Sequence, residues 1–175
     1  MIRWAALSVA IIALSAATAG CQSKGCSVAS AGPDVCFCPK GEGCTHSCPV
    51  TAARCALDCA QGNGACGVTC GDNCSAMCQG ATSCDATCGA NCEIACQYVA
   101  QICDVRVGEA SVVRCDGAPV CKVDCRGSCI VGCSDGHCEV TCADPARCDV
   151  TCDKAGTKAT LCSDGRTKVC GASCG

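Results

Sequence analysis

From residue 44 to residue 152 the chain repeats one short pattern, Cys-x-x-x-Cys with a small side chain at the centre. Eight boxes carry an aliphatic centre: Cys66-Val68-Cys70, Cys74-Ala76-Cys78, Cys84-Ala86-Cys88, Cys92-Ile94-Cys96, Cys121-Val123-Cys125, Cys129-Val131-Cys133, Cys138-Val140-Cys142 and Cys148-Val150-Cys152. The positions between are mostly polar, as at Thr69, Asp85, Glu93, Lys122, Asp124, Glu139 and Asp149, with Met77 and Ile130 as exceptions. Apolar residues at i, i+2 and i+4 follow the strand period. Each box therefore predicts a short strand with a dry Cys-aliphatic-Cys face and a wet opposite face. Turn-formers separate the boxes: Gly71-Asp72-Asn73, Gly89-Ala90-Asn91, Arg126-Gly127-Ser128 and Ser134-Asp135-Gly136-His137. Gly and Asn accept the positive φ that tight turns need, and Asp bonds the turn backbone. Paired helices joined by C-x-x-x-C disulfides are the alternative, but spacers this short leave no room for two-turn helices.

Boxes begin at 66, 74, 84, 92, 103, 111, 121, 129, 138 and 148. The steps alternate near eight and ten, so two strands make a unit of about 18 residues. Short strands, tight turns and a constant inward face predict an all-β, disulfide-stapled repeat protein. The expected form is a narrow β-solenoid with two strands per coil. A string of disulfide-linked β-hairpins is the alternative. The predicted organisation is a signal at 1–20, a tether and irregular N-terminal cap at 21–43, the repeat domain at 44–152, and a C-terminal cap or loose tail at 153–175.

The middle unit constrains the cystine connectivity. Val107 and Ser111 stand where two cysteines are expected, one on each side of a single turn. Residues four apart in a strand lie roughly 13 Å from each other, at about 3.3 Å per residue. A disulfide needs Cα atoms within about 7 Å. No strand box closes on itself, so partners lie across turns or on neighbouring strands. Joint loss of two cysteines leaves no orphan if the two are partners. The bonds expected are therefore Cys70–Cys74, Cys88–Cys92, Cys125–Cys129 and Cys142–Cys148. Extended serially, the rule adds 26–36, 38–44, 48–55, 59–66, 78–84, 96–103, 115–121, 133–138, 152–162 and 170–174. Antiparallel hairpins would instead nest 66–78, 84–96 and 103–115 outside the tight turns.

Composition explains why such staples are needed. Half of the 175 residues are formally hydrophobic, but 29 are Cys, and Trp4, Phe37 and Tyr98 are the only aromatics. Aromatic side chains normally supply much of a core's buried area, so cystine must take their place. The net charge of −3 carries no basic patch, which argues against nucleic acid as a partner.

The first 21 residues read as an export signal. Arg3 precedes an uncharged apolar stretch from Trp4 to Ala17, too short for a comfortable membrane span. Ala17-Thr18-Ala19 would serve as the cleavage site of a plain secretory signal. Thr18-Ala19-Gly20-Cys21 resembles the lipobox of bacterial lipoproteins, although Thr18 stands where that family usually has Leu. The resemblance covers residues 1–22 and implies cleavage before Cys21 and a diacylglycerol on its sulfur. Gln22 resembles the residue that directs such proteins to the outer membrane. Cysteine parity agrees: lipidation of Cys21 takes one of the 29 cysteines and leaves an even number to pair. The expected location is the bacterial cell envelope, lipid-anchored at the outer membrane, with secretion as the alternative.

Other chemistry finds little support. Zinc sites favour C-x2-C knuckles or Cys/His sets, but His46 and His137 are the only histidines and the two sulfurs of a C-x-x-x-C strand point too far apart to share one ion; a redox enzyme needs a reactive C-x-x-C, and none occurs. Past an export signal, thiols are expected to be oxidised. The Asp/Asn/Gly turns could hold calcium, but turn chemistry accounts for them. A coil with interior disulfides is similar to insect antifreeze solenoids, but the outward pairs Gly67/Thr69, Asp85/Thr87, Glu139/Thr141 and Asp149/Thr151 mix Thr with acid. His46 stands at the centre of the box Cys44–Cys48 and His137 in a turn, neither near a nucleophile motif. The sequence thus predicts a non-catalytic structural or interaction module without catalytic residues, metal or cofactor. A metal-binding or thiol-buffering protein and a loop-mediated binder or inhibitor are the alternatives. The partners expected are a membrane, through the lipid on Cys21, and a protein or polysaccharide that no motif identifies.

Overall fold

A computed structural model describes residues 26–27, 34–38, 43–48, 55–59, 64–153 and 156–174, with side chains from residue 36 onward. The export segment and Cys21 lie outside the described residues. One sheet contains β1 (Cys26–Ser27), β2 (Asp34–Phe37), β4 (Cys55–Asp58), β6 (Cys74–Met77), β8 (Glu93–Gln97), β10 (Ser111–Asp116), β12 (Cys129–Cys133) and β14 (Cys148–Thr151). The other contains β3 (Cys44–Ser47), β5 (Ala65–Thr69), β7 (Ser83–Thr87), β9 (Ile102–Val107), β11 (Val120–Cys125), β13 (His137–Cys142), β15 (Thr160–Leu161) and β16 (Thr167–Cys170). From β2 to β14 the chain alternates between sheets, and neighbours within each sheet pair in parallel. This is a β-solenoid of about 18 residues per coil. The hairpin alternative and its nested bonds are excluded, because successive strands occupy different sheets.

The parallel stack follows from the repeat. One coil of displacement places like upon like, so Cys66, Cys84, Cys103, Cys121 and Cys138 form a single column. The aliphatic centres form two more: Val68, Ala86, Val105, Val123 and Val140 in one sheet, and Leu57, Ala76, Ile94, Val113, Val131 and Val150 in the other. All are buried. A one-residue slip would turn every such side chain to water, which pins the register.

The turns repeat too. Asn73, Asn91 and Ala110 occupy the same place with φ near +55° to +59°. The Asn73 N–H donates to Ala90 O and the Asn91 N–H to Glu109 O. Coils approach so closely that a Cβ on Gly108 would lie 2.9 Å from the Gly89 carbonyl, and only glycine fits.

Disulfides run along both edges. On one edge lie Cys38–Cys44, Cys59–Cys66, Cys78–Cys84, Cys96–Cys103, Cys115–Cys121 and Cys133–Cys138; on the other, Cys48–Cys55, Cys70–Cys74, Cys125–Cys129 and Cys142–Cys148. Their Cα separations span 5.8–6.4 Å, within ordinary cystine reach. Cys26 lies opposite Cys36 in the ladder, and Cys36 is disulfide-bonded. The Cys26 sulfur lies outside the described residues.

Antiparallel strands close the ends. β1 lies against β2, while β15 and β16 fold back on β13 and cover its edge. That return corrects the serial rule at the C-terminus. In place of 152–162 and 170–174, the bonds are Cys152–Cys170 and Cys162–Cys174. Reversal of the chain sets Cys170 opposite Cys138 and 5.2 Å from Cys152 between Cα atoms. Asp164 fastens the strap. Its carboxylate accepts from the Thr167 hydroxyl and from the N–H groups of Thr167 and Arg166, which holds its pKa down to about 2.

Candidate functional site

One stapled edge is interrupted, and the interruption spans two coils. In β9, Val107 stacks on Cys125 of β11; in β10, Ser111 stacks on Cys129 of β12. Both replacements are buried. Val107 fills sulfur space with methyl groups. The Ser111 hydroxyl takes a 3.2 Å hydrogen bond from the Cys92 N–H, so its polarity is satisfied inside the protein.

In the coil before, Cys88 and Cys92 carry free, buried thiols. The expected Cys88–Cys92 bond is thus corrected, while Cys70–Cys74, Cys125–Cys129 and Cys142–Cys148 are closed. The Cys92 sulfur faces the Gly71, Gly89 and Ala90 carbonyls at 3.6, 3.5 and 3.6 Å, to which a thiol can donate. The Cys88 sulfur lies 2.9 Å from Cys70 of the adjacent staple. A hydrogen bond from Cys88 to Cys92, then burial, raises the Cys88 pKa far above an ordinary thiol. The same bond lowers that of Cys92.

Stacking gathers the sulfurs of Cys70, Cys74, Cys88 and Cys92 within 4.8 Å of one another. The spacing argument against metal applies within one strand; it does not apply across a turn and between coils. A thiolate set of this size suits a soft ion in principle, but two of its members are joined to each other. The arrangement can therefore do thiol–disulfide chemistry as it stands and metal chemistry only after reduction. The sequence marked the Val107/Ser111 gap; the unbonded pair beside it had no separate signal.

The remaining candidates sit apart. His46 is buried in the first coil, its Nε2 3.0 Å from the sulfur of Cys36, and takes the place of Val68 one coil on. His137 begins β13 at the far end and is exposed. Asp72, in a turn considered for calcium, accepts from the Ala90 N–H at 2.7 Å and so ties two coils together. The outward columns read Thr45, Gly67, Asp85, Asp104, Lys122, Glu139 and Ser47, Thr69, Thr87, Arg106, Asp124, Thr141. Arg106 bridges Asp85 and Asp104 at 3.4 and 3.3 Å, so charges break the threonine ladder that a flat ice-facing surface needs.

Beside the C-terminal strap lies an open groove of about 760 Å³, with Val112, Ile130 and Pro145 among its lining residues. Its cations are engaged: Lys158 with Asp149, Lys168 with the Pro145 and Cys148 carbonyls, and Arg147 with Glu109. Glu109 also accepts from the Ser128 hydroxyl and N–H, and these bonds, with Arg147, hold its carboxyl below the usual range.

No family model, curated protein or solved structure matches this chain.

The gap itself can be tested. Val107→Cys/Ser111→Cys should close a further staple above Cys125–Cys129, whose Cα atoms lie 6.2 Å apart. Closing so short a loop adds about 2 kcal/mol in the chain-entropy model, read as an upward shift of the denaturant midpoint once a loss of two mass units proves the bond. A closed bond without that shift would show that Val107 packing already equals a staple.

Proposed function

We propose that this chain is a non-catalytic, lipid-anchored component of the bacterial cell envelope, whose stapled solenoid serves as a rigid structural or interaction module. One observation carries the reading: the interior between the sheets is filled by cystine and small aliphatic side chains from coil to coil. Such a body keeps its shape with little aromatic core, and its solvated outer columns and turns are left for contact. Export supplies the oxidising compartment that the bonds need. The Thr18-Ala19-Gly20-Cys21 segment supplies the tether. No helix among the described residues is long and apolar enough to cross a membrane, and in this reading a lipid on Cys21 is the membrane contact.

The test is expression of the full chain in a lipoprotein-processing bacterium, followed by fractionation and intact mass. The expected mature protein starts at Cys21, carries the mass of a diacylglycerol and sediments with membranes, and Cys21→Ser moves it to the soluble fraction. A mature chain beginning at Gly20 or Gln22 without lipid overturns the anchor. A chain that carries metal on many free thiols overturns the structural role in favour of metal storage.

A further inference from the structure

The four sulfurs at the interrupted edge are placed for reaction. Cys70–Cys74 is a closed disulfide, Cys88 and Cys92 are thiols, and Cys88 Sγ lies 2.9 Å from Cys70 Sγ. All four residues are at least nine-tenths buried, which shields them from dissolved thiols and oxidants. On the next coil Val107 and Ser111 offer no sulfur, so exchange cannot run in that direction.

We propose that Cys70, Cys74, Cys88 and Cys92 form an internal thiol–disulfide exchange unit, in which one disulfide moves between two adjacent coils. The unit starts with Cys92 as thiolate and Cys88 as thiol. In the first step the Cys88 proton passes to the Cys92 thiolate and the Cys88 sulfur attacks Cys70 Sγ. The Cys70–Cys88 bond forms, the Cys70–Cys74 bond breaks, and its electron pair leaves on Cys74 as a thiolate. In the second step Cys92 passes the same proton to the Cys74 thiolate and attacks Cys88 Sγ. The Cys88–Cys92 bond forms, the Cys70–Cys88 bond breaks, and its electron pair leaves on Cys70 as a thiolate. One disulfide, one thiol and one thiolate stand on each side, so neither oxidant nor reductant is consumed. The hydrogen bond that favours charge on Cys92 suits that sulfur as the attacking thiolate of the second step.

The unit goes beyond the structural role proposed above and does not depend on the lipid. It makes this edge a movable staple: whichever coil holds the bond, the other is held by packing and the backbone ladder alone. It also keeps two reducing equivalents inside a body whose other cysteines, from Cys36 to Cys174, are all disulfide-bonded.

The test is differential alkylation of the exported, folded protein, quenched in acid and denaturant, with peptide mapping before and after reduction. The expected result is two thiols per molecule, confined to these four positions, with separate populations of Cys70–Cys74 and Cys88–Cys92. Cys88→Ser should freeze the bond at Cys70–Cys74 and leave label on Cys92 alone. Cys88→Ser/Cys92→Ser should leave the thermal midpoint within a few degrees of the parent, which separates loss of exchange from loss of fold. Two simultaneous disulfides with no free thiol, thiols fixed on Cys88 and Cys92 through prolonged incubation at pH 8, or a metal ion holding the four sulfurs would each overturn the proposal.

Discussion

Treatment with a strong reductant is expected to abolish the cooperative thermal transition of the folded chain. Twelve disulfides join described residues, ten of them closing loops of four to seven residues. Each such loop restricts the unfolded chain by about 2 kcal/mol in the entropy model. The terms do not add cleanly between neighbouring coils, yet their sum is of order tens of kcal/mol, beyond the ~5–15 kcal/mol net stability of an ordinary domain. Packing cannot replace that sum, because among the described residues the largest fully buried side chain is Ile94 and the others are Val, Ala, Cys and Ser111. Circular dichroism melts with and without tris(2-carboxyethyl)phosphine decide the matter. An unchanged midpoint after complete reduction, verified by mass, would refute disulfide control of stability.

The second large effect is expected from a single charge in the central column. Ile94 is fully buried, and Ala76 and Val113 flank it in the ladder. Ile94→Asp places a carboxylate between the sheets without a polar partner, a change expected to cost more than 4 kcal/mol. Ile94→Val removes one methylene and should cost about 0.5–1.5 kcal/mol. Thr69→Ala, on the wet face of β5, should stay within about 0.5 kcal/mol. A solenoid is held by nearest-neighbour contacts, so the damage should be local. Hydrogen exchange of Ile94→Asp should show lost protection in β6, β8 and β10 and retained protection in β12 and β14. Uniform loss along the whole chain would show that the coils fold as one unit despite their repetition.

Much of this architecture was legible before any coordinates. The alternation at Cys66-Val68-Cys70 identifies a strand, because side chains in extended backbone point to opposite sides in turn. The short spacers at Gly71-Asp72-Asn73 identify a tight turn, because few residues can bend the chain so soon. The eight–ten rhythm gives the coil. The bond rule also came from the chain, through the joint absence of sulfur at Val107 and Ser111. The rule extended poorly where the rhythm ended. Beyond Asp153 no period tells whether the chain continues upward or turns back, and the reversal that pairs Cys152 with Cys170 depends on β16 finding the open edge of β13.

The order of residues along the chain settled what each box would do by itself: which side faces inward, where the backbone bends, and that two sulfurs in one strand cannot meet. Those are local matters of extended geometry. Which sulfurs become neighbours between coils is a matter of stacking, and it could not be read from any single unit. Parallel superposition brought Cys70 to Cys88 across 18 positions of chain and set the Cys92 N–H against the Ser111 hydroxyl. The reason is that covalent spacing fixes distance within a strand, whereas distance between coils exists only once the backbone ladder has formed.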